Sequence, residues 1–265
     1  MCKNEQATIS AALDSLAWAD DLVVVDSGST DGTLDLIRAH SVKPRLLQTG
    51  WPGYNAQRQF MVAQCKNPWV FMLDADEECS PQLANELCAL TDANLAKAAM
   101  AQMPRKNYLA GRYVRCWSPD LQSRLIHRDR ITWNPYSQFD SWRPKEHFGT
   151  LTLRNYILHR RTAPTTLSDF NDAVVRAERA ELMSDHLYKQ GKRATLFNLL
   201  FHPPMTFFKY YILRGAFLDG RFGLVVAYKS TIGVMLKYST LYSRELVDNS
   251  PPSDNRSTDE EAESK

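Results

Sequence analysis

The sequence of 265 residues lacks the patterns that mark several classes of protein. Its cysteines are odd in number, and no two of them are spaced as Cys-x-x-Cys: Cys2, Cys65, Cys79, Cys88 and Cys116. This argues against a zinc cluster or a disulfide framework and favours free thiols in a reducing compartment. No apolar run reaches the roughly 20 uninterrupted residues of a membrane span. The start of the chain turns polar at once, which is not typical of a signal peptide.

Nucleic-acid binding is also disfavoured, because the net charge is only +2 and the basic residues belong to no recognisable binding module. The charge is nevertheless uneven. Residues 102–161 carry 12 basic and 4 acidic side chains, whereas residues 248–265 carry 2 basic and 6 acidic ones. The basic middle suits an anionic partner, such as nucleotide phosphates, a phosphorylated acceptor or an anionic membrane face. The polar, acidic tail over 248–265 is expected to be disordered.

The most informative feature present is a short apolar run, Val70–Leu73, that ends in two carboxylates, Asp74 and Asp76. The run and its flanks predict a buried strand that opens onto a loop. Ligands of open α/β sheets bind at this edge, and two carboxylates there can hold Mg²⁺ or Mn²⁺ with a substrate phosphate. Alone the motif is weak evidence, since an acidic loop after a strand is usually only solvated.

Strand and helix patterns alternate through the first hundred residues. Strands are predicted at Leu22–Val25, Arg45–Gln48 and Trp69–Leu73, and helices lie between and after them, such as Tyr54–Cys65 and Pro81–Leu90. Serine followed by proline at residues 80 and 81 predicts the start of the last of these helices. The alternation predicts an α/β fold with a mostly parallel sheet flanked by helices.

After about residue 98 the alternation ends. Strands are predicted at Met100–Pro104 and Ile126–Trp133, and a loop is predicted over Asn134–Pro144. A long helix over 168–190 and two apolar, aromatic segments over 196–213 and 222–242 follow. Lysines beside their apolar faces are typical of amphipathic helices in a membrane interface, although packing on the core or on a second subunit stays open.

We therefore expect three parts: a catalytic domain over 1–165, a helical, membrane-associated region over 166–247, and the tail.

Three motifs in order carry a family resemblance: Lys3–Glu5, Val25–Thr33 and Asp74–Asp76. They resemble the family 2 glycosyltransferases, which have the Rossmann-like GT-A fold. Further motifs resemble one branch, the inner-membrane-associated enzymes that build lipopolysaccharide core, related to the core β-1,4-glucosyltransferases: Trp18–Asp20, Trp51–Arg58, Pro119–Asp120, Ser123–Leu125, Leu158–His159 and Gly215–Gly220. Relatives carry several apolar residues before the first motif, so most of the family's first strand is expected to be missing here.

The resemblance implies inverting, metal-dependent transfer of a hexose from a nucleotide sugar, with UDP-glucose the first expectation, to a lipid-linked saccharide. It implies a cytoplasmic enzyme, peripheral on the inner face of the membrane, with Mg²⁺ or Mn²⁺ as cofactor. Asp76 is then the direct metal ligand, Asp74 binds the donor ribose or assists at the metal, and His159 is a further metal ligand or phosphate donor.

The same resemblance implies nucleotide-sugar contacts for five more residues: Asn4, Glu5, Asp26, Gln57 and Arg58. Arg124 would hold the diphosphate or an acceptor phosphate, since guanidinium geometry suits both. Local alternatives stay open for several of these side chains. Asp26 and Asn4 can cap a turn and a helix, Arg58 can be an exposed helical arginine, and His159 can be structural.

An inverting enzyme also needs a general base that takes the proton of the acceptor hydroxyl. The family's position for it, counted back from Gly149–Leu151, falls on Asp140, although Phe139 stands where relatives carry histidine. Glu146 is a rival. Two other functions stay open. A nucleotidyltransferase would show a Gly-rich, basic segment after the first strand, which is absent, and a membrane-associated sugar-nucleotide binder would bind without turnover.

Overall fold

The structure, a computed structural model, describes residues 1–134, 142–161 and 173–248. The chain divides into two compact units, Met1–Phe170 with Tyr210–Ala227, and Asn171–Lys209 with Tyr228–Lys265. The first unit thus includes a segment that the sequence analysis assigned to the C-terminal region, and the expected domain boundaries stay predictions. The acidic tail lies outside the described residues from position 249 onward.

The first unit holds the strands and the helices that precede residue 100. Its strands are β1 (Val23–Asp26), β2 (Arg45–Gln48), β3 (Trp69–Phe71), β4 (Glu77–Cys79), β5 (Ala98–Leu109), β6 (Arg112–Tyr113), β7 (Asp120–His127), β8 (Ile131–Trp133), β9 (Trp142–Pro144), β10 (Gly149–Thr152) and β11 (Ile157–Arg161). Its helices before residue 100 are α1 (Ile9–Asp14), α2 (Thr33–Ala39), α3 (Tyr54–Gln64), α4 (Pro81–Cys88) and α5 (Asp92–Leu95).

The described strands form three sheets, a seven-stranded mixed sheet and the two-stranded sheets β1–β2 and β8–β9, so the expectation of a mostly parallel sheet is corrected. β1 and β2 pair in parallel, and β5 pairs in parallel with β10 and β11. Antiparallel pairs join β7 to both β3 and β5, and also join β11 to β4 and β8 to β9. The reason lies after Ala98, where β5 leads to β7 without the crossover helix that a parallel neighbour requires. The α/β class with flanking helices is confirmed.

Local signals in the sequence correspond closely to the observed elements. The predicted strand Arg45–Gln48 has the bounds of β2, and Ser80 caps α4 by accepting a hydrogen bond from Leu83 N (3.2 Å). The predicted strand Ile126–Trp133 is divided between the end of β7 and β8, because a turn closed by Arg130 N donating to His127 O (3.0 Å) separates the two strands. The predicted loop up to Pro144 is also too long, since its last three residues form β9.

The start of the chain pairs with β1 through one parallel bridge, between Cys2 and Asp26. Cys2 N donates to Val25 O (2.9 Å), and Ser27 N donates to Cys2 O (3.0 Å). At the start of the chain, the described residues therefore show a single paired position beside β1.

The core of the first unit lies on both sides of the sheet. On one side α4 buries Leu83 against Ala101, Met103 and Leu125, and on the other α3 buries Met61 against Ile126 and its neighbours. Because side chains alternate across a strand, neighbouring residues of β5 and β7 point to opposite sides of the sheet and pack in both parts of the core. The sheet is thereby held from both faces, and the strand ends that carry the acidic motif have a rigid base.

The second unit is helical and contains α6 (Ala173–Lys189), α7 (Leu196–Leu200), α8 (His202–Phe208) and the later part of α9 (Gly220–Asp248). Arg244 of α9 donates to Asp185 Oδ1 of α6 (3.1 Å), and Tyr238 of α9 contacts the ring of His202. None of the helices in the described ranges combines the length and the apolarity needed to cross a membrane.

Replacing Ile126 with alanine tests the core. Ile126 is fully buried on β7, so Ile126→Ala should lower the free energy of unfolding by about 2–5 kcal/mol, measured by urea denaturation. Leu121→Ala on the same strand is the matched control, because Leu121 is 56% exposed, and its effect should stay within about 0.5 kcal/mol. Equal effects of the two substitutions would contradict this account of the core.

Candidate active site

A tight turn between β3 and β4 collects the acidic motif at one edge of the sheet. Glu77 N donates to Asp74 O (3.0 Å), and Asp74 N donates back to Glu77 Oε2 (3.2 Å). Just before the turn, the backbone is held to β7 by Met72 N, which donates to Arg124 O (2.7 Å). The turn therefore places Asp74, Asp76 and Glu77 close together at the end of β3, where the sequence predicts the site.

Two arginines occupy both oxygens of Asp74. Arg58 Nη2 of α3 donates to Oδ1 (2.7 Å), and Arg124 Nη2 of β7 donates to Oδ2 (2.6 Å). Arg124 Nη2 also donates to Glu77 Oε1 (2.9 Å), which accepts a second bond from Arg105 Nη1 (2.6 Å). Glu77 is fully buried and Arg58 is 1% exposed. Such buried carboxylates are tolerated because each is paired with a guanidinium group.

The pairing sets the ionisation of Asp74. Burial alone would raise the pKa of the Asp74 carboxyl, but the positive charges of Arg124 and Arg58 hold that pKa well below its ordinary range. Asp74 is therefore an ionised carboxylate whose position is fixed from both sides. Its side chain is still 25% exposed, so part of it faces the solvent at the strand end.

Asp76 contacts a histidine from a different strand. His159 lies on β11, opposite Asn107 of β5 in the sheet register, and its Nε2 is 2.8 Å from Asp76 Oδ2. The other ring nitrogen, Nδ1, is 2.8 Å from Asn107 Oδ1. Carboxylate oxygens suit Mg²⁺ and Mn²⁺, and imidazole nitrogens suit transition-metal ions, so a carboxylate and an imidazole that meet at one point fit Mn²⁺ best. No cluster of three or more metal-ligating side chains occurs in the described part of the chain.

The loop after β1 is organised around Asp26. The backbone N–H groups of Gly28 and Ser29 donate to Asp26 Oδ1 (3.0 Å each), and Ser29 Oγ donates to Oδ2. Burial would raise the pKa of Asp26, but the bonds from Ser29 and Gly28 lower it below its ordinary value. Gly28 has a φ of +89°, which favours glycine at this turn. The turn-capping alternative considered for Asp26 is thus present in the structure.

The segment after Cys2 lies against this loop. Thr30 N donates to Asn4 Oδ1 (2.8 Å), and Glu5 N donates to Thr33 Oγ1 (2.8 Å). Burial raises the pKa of Glu5, a hydrogen bond from Thr8 opposes the rise, and the charges of Asp76 and Asp74 add to it. Glu5 therefore lies within electrostatic reach of the acidic motif, and its contact with the nucleotide sugar stays a prediction.

Gln57 is fully buried, and its Nε2 donates to Ser27 Oγ (3.1 Å) and Thr49 Oγ1 (3.2 Å). It joins the loop after β1 to the segment after β2. Beside it lies a shallow, open and mainly apolar pocket, whose lining includes Trp51 and Phe60. Gln57 therefore supports the wall of this pocket.

Asp140 and Glu146 are the two candidates for the general base. Asp140 lies outside the described residues. Glu146 is exposed in the turn between β9 and β10. Their roles stay predictions.

Comparison with known proteins decides the family. Residues 1–152, more than half of the chain, match the model of Glycosyl transferase family 2. The chain belongs to glycosyl transferase family 2. LpsC, a lipopolysaccharide core biosynthesis glycosyltransferase of Rhizobium meliloti (strain 1021), is 28% identical over 259 residues, which cover 93% of this chain and 92% of LpsC.

An uncharacterized glycosyltransferase of Rickettsia prowazekii (strain Madrid E) is 26% identical over 242 residues, 84% of this chain and 78% of that protein. The crystal structure of S. aureus TarS 1–349 in complex with UDP-GlcNAc is 14% identical, with a TM-score of 0.44 over 93% of this chain and 89% of that one.

Family membership confirms the expected enzyme class, a glycosyltransferase of the GT-A type that transfers sugar. The structure brings Asp74, Asp76 and His159 to one place, with Glu5 nearby, and it places Arg58 and Arg124 beneath Asp74. The predicted contacts of all the site residues with a donor or a metal stay predictions. In this family 2 glycosyltransferase, Arg58 and Arg124 both donate hydrogen bonds to Asp74.

Sequence reasoning missed three side chains of the site: Glu77, Arg105 and Asn107. Glu77 looks like one more acidic residue of a solvated loop, although it follows the Asp-x-Asp motif directly. Arg105 and Asn107 are two residues apart on β5, which puts both on one face of the strand. That spacing is a weak signal, because their partners come from other strands and depend on the register of the sheet.

The acid stability of the enzyme should depend on Asp74. A carboxylate whose folded pKa lies below its ordinary value of 3.8 stabilises the fold fully above about pH 5, and this stabilisation is lost as the pH falls. Asp74→Asn should cost about 3–5 kcal/mol at neutral pH, because Arg58 and Arg124 lose their counter-charge.

Urea unfolding between pH 7 and pH 2 measures the effect. The free energy of unfolding should fall less steeply below pH 5 in Asp74→Asn than in the unmutated enzyme. Asp129→Asn, at an exposed aspartate, serves as control and should reproduce the unmutated curve. Parallel curves for Asp74→Asn and the unmutated enzyme would show that Asp74 does not carry this acid dependence.

Proposed function

We propose that the enzyme transfers a hexose, with inversion, from a UDP-sugar such as UDP-glucose to a lipid-linked saccharide of the lipopolysaccharide core type. The observation that carries the proposal is the contact of Asp76 Oδ2 with His159 Nε2 (2.8 Å) at the strand end, beside the clamped Asp74. The acceptor class is supported by the name of LpsC, a lipopolysaccharide core biosynthesis glycosyltransferase that aligns over most of its length.

Asp76 and His159 would hold the divalent cation, Mg²⁺ or Mn²⁺. When bound, the cation would neutralise the charge that develops on the departing nucleoside diphosphate. Asp74 has both oxygens engaged by Arg58 and Arg124, so we assign it to the donor ribose or to support of the cation site through its exposed part. Arg124 orients Asp74 and Glu77 together.

The nucleoside of the donor would lie across the loop after β1. Asn4 and Glu5 border this loop on the side of the acidic motif, whereas Gln57 supports the pocket that contains Trp51. Asp26 holds the loop in shape and orients its N–H groups. A base in this pocket and a ribose near Asp74 would place the diphosphate beside Asp76.

Direct displacement requires a base that removes the proton of the acceptor hydroxyl while that oxygen attacks the anomeric carbon. We assign this role to Asp140, with Glu146 as the alternative. No covalent enzyme intermediate forms, so no nucleophilic serine or cysteine is required.

We also infer that the second unit binds the inner face of the cytoplasmic membrane. Six apolar side chains on α7 and α8 and at their junction are exposed, and we call them the apolar patch: Leu196, Phe197, Leu200, Phe201, Met205 and Phe208. Within this unit, residues 189–209 and 228–243 together carry 6 basic side chains and no acidic one. An apolar surface beside positive charge suits an anionic lipid surface. A second copy of the chain would carry the same positive charge and would be repelled.

Release of nucleotide from a panel of UDP-, GDP-, ADP- and dTDP-sugars tests the reaction. Purified enzyme with Mn²⁺ should hydrolyse a UDP-sugar slowly without acceptor, and EDTA should abolish the release. Asp76→Asn should lower it by about 100-fold or more, since a lost metal ligand removes several kcal/mol of charge stabilisation. Asp129→Asn should retain full release. Metal-independent release, or full activity in Asp76→Asn, would contradict the proposed cation site.

Flotation with lipid vesicles tests the membrane inference. Phe197 and Phe201 stack with ring centroids 5.0 Å apart and are both about half exposed. The double variant Phe197→Ser with Phe201→Ser should weaken binding to phosphatidylglycerol-containing vesicles by about tenfold or more, because burying one phenylalanine contributes about 1.5–3 kcal/mol.

Leu121→Ser, at an exposed leucine of the first unit, is the control for loss of apolar surface. Binding that is equal for neutral and anionic vesicles, or unchanged in the double variant, would contradict the inference.

A further inference from the structure

The ring of His159 is held from behind by a buried amide. Asn107 lies opposite His159 in the parallel pairing of β5 with β11, and both side chains are buried. Asn107 Oδ1 is 2.8 Å from His159 Nδ1, on the side of the ring away from Asp76. The imidazole is thus placed between an amide and a carboxylate, and its orientation is set at both nitrogens.

The amide itself can have only one orientation. Asn107 Nδ2 donates to Trp117 O (2.8 Å) and to Asp120 Oδ1 (2.8 Å). A backbone carbonyl and a carboxylate can only accept hydrogen bonds, so both amide hydrogens are used there. A flipped amide would turn its oxygen toward those two acceptors. The atom that faces His159 is therefore the oxygen, and it accepts a hydrogen bond from Nδ1–H.

This assignment determines which ring nitrogen is available. With the hydrogen on Nδ1, the neutral ring has its lone pair on Nε2, the nitrogen next to Asp76. The 2.8 Å contact between Nε2 and Asp76 Oδ2 then needs a proton or a metal cation bound there. Histidines that bind metals commonly donate their other N–H to an oxygen acceptor, which fixes the tautomer and the ring.

The far side of Asn107 is held as firmly. Asp120 accepts from Arg105 Nη2 (2.9 Å) and from Gln122 Nε2 (2.7 Å) on Oδ2, while its Oδ1 accepts from Asn107. Arg105 in turn donates to Glu77, the residue after Asp76. The amide cannot rotate without breaking a charged, partly buried network.

We propose that Asn107 is a positioning residue that keeps the hydrogen of His159 on Nδ1 and so presents Nε2, together with Asp76, to the divalent cation. Asp120 orients Asn107 for this task. The inference rests on the proposed function, because it assumes that the cation binds at Asp76 and His159. It adds what the pair of ligands alone does not supply, the selection of one tautomer.

Mn²⁺ affinity, measured by electron paramagnetic resonance with UDP present, tests the proposal without any turnover. Asn107→Leu removes the acceptor and should weaken Mn²⁺ binding by about 10- to 100-fold, the usual effect of losing the hydrogen-bond partner of a metal-bound histidine. Asn107→Asp keeps an oxygen against Nδ1 and should bind Mn²⁺ more tightly than Asn107→Leu. Gln102→Leu is the matched control, since it removes an amide of the same strand β5 that donates to Thr152 Oγ1 (2.9 Å) and to no residue of this network, and its affinity should stay within about twofold of the unmutated value.

The nitrogen spectrum of the unmutated chain tests the same claim without a substitution in the core. With ¹⁵N-labelled histidine, Mg²⁺ and UDP, the ring of His159 should show its hydrogen on Nδ1, with His159→Gln identifying the signal. A hydrogen on Nε2 under these conditions would overturn the proposal, and so would Asn107→Leu binding Mn²⁺ like the unmutated chain while His159→Gln binds it weakly. If neither His159→Gln nor Asp76→Asn changes the affinity, the proposed cation site itself fails, and the inference falls with it.

Discussion

The guanidinium of Arg124 is the group on which the candidate site depends. From β7 it donates to Asp74 (2.6 Å) and to Glu77 (2.9 Å), and so joins the two carboxylates on either side of Asp76. Without this guanidinium between them, the partly exposed carboxylate of Asp74 and the buried carboxylate of Glu77 would repel each other, and one of them would take up a proton. Arg124 thus stabilises the turn between β3 and β4 in the form that turns Asp76 toward β11. Burial makes the arrangement rigid, because an unpaired charge here would cost several kcal/mol.

From Glu77 the same network continues around the site and returns to its start. Arg105 links Glu77 to Asp120, Asn107 links Asp120 to His159, and His159 meets Asp76, the neighbour of Glu77 in the chain. The ring of side chains joins β4, β5, β7 and β11, so the sheet register and the geometry of the site support each other. A site built this way needs little rearrangement to bind charge, which is how electrostatic catalysis is thought to gain most of its effect.

Much of this fold follows from local patterns, whereas the network does not. β2 and the Ser80 cap of α4 could be predicted because their signals lie within a few residues. The Asp-x-Asp motif marks a strand end for the same reason, and the ordered motifs identify the family. Arg58 and Arg124, in contrast, resemble surface arginines until the sheet register brings both to Asp74. Asn107 and His159 are 52 residues apart and meet only because β5 and β11 are neighbours. The alternation predicts a mostly parallel sheet, whereas the large sheet is mixed, because the direction of a strand depends on the connection that leads to it.

The central claim is that the enzyme binds its divalent cation between Asp76 and His159. Anomalous diffraction from a crystal soaked with Mn²⁺ and UDP measures this directly. The account predicts one manganese peak, within about 2.0–2.3 Å of Asp76 Oδ2 and His159 Nε2, with phosphate oxygens in its shell and Asp74 still paired with its two arginines. A peak that is coordinated elsewhere, or a nucleotide bound in this cleft with no metal at Asp76, would contradict it.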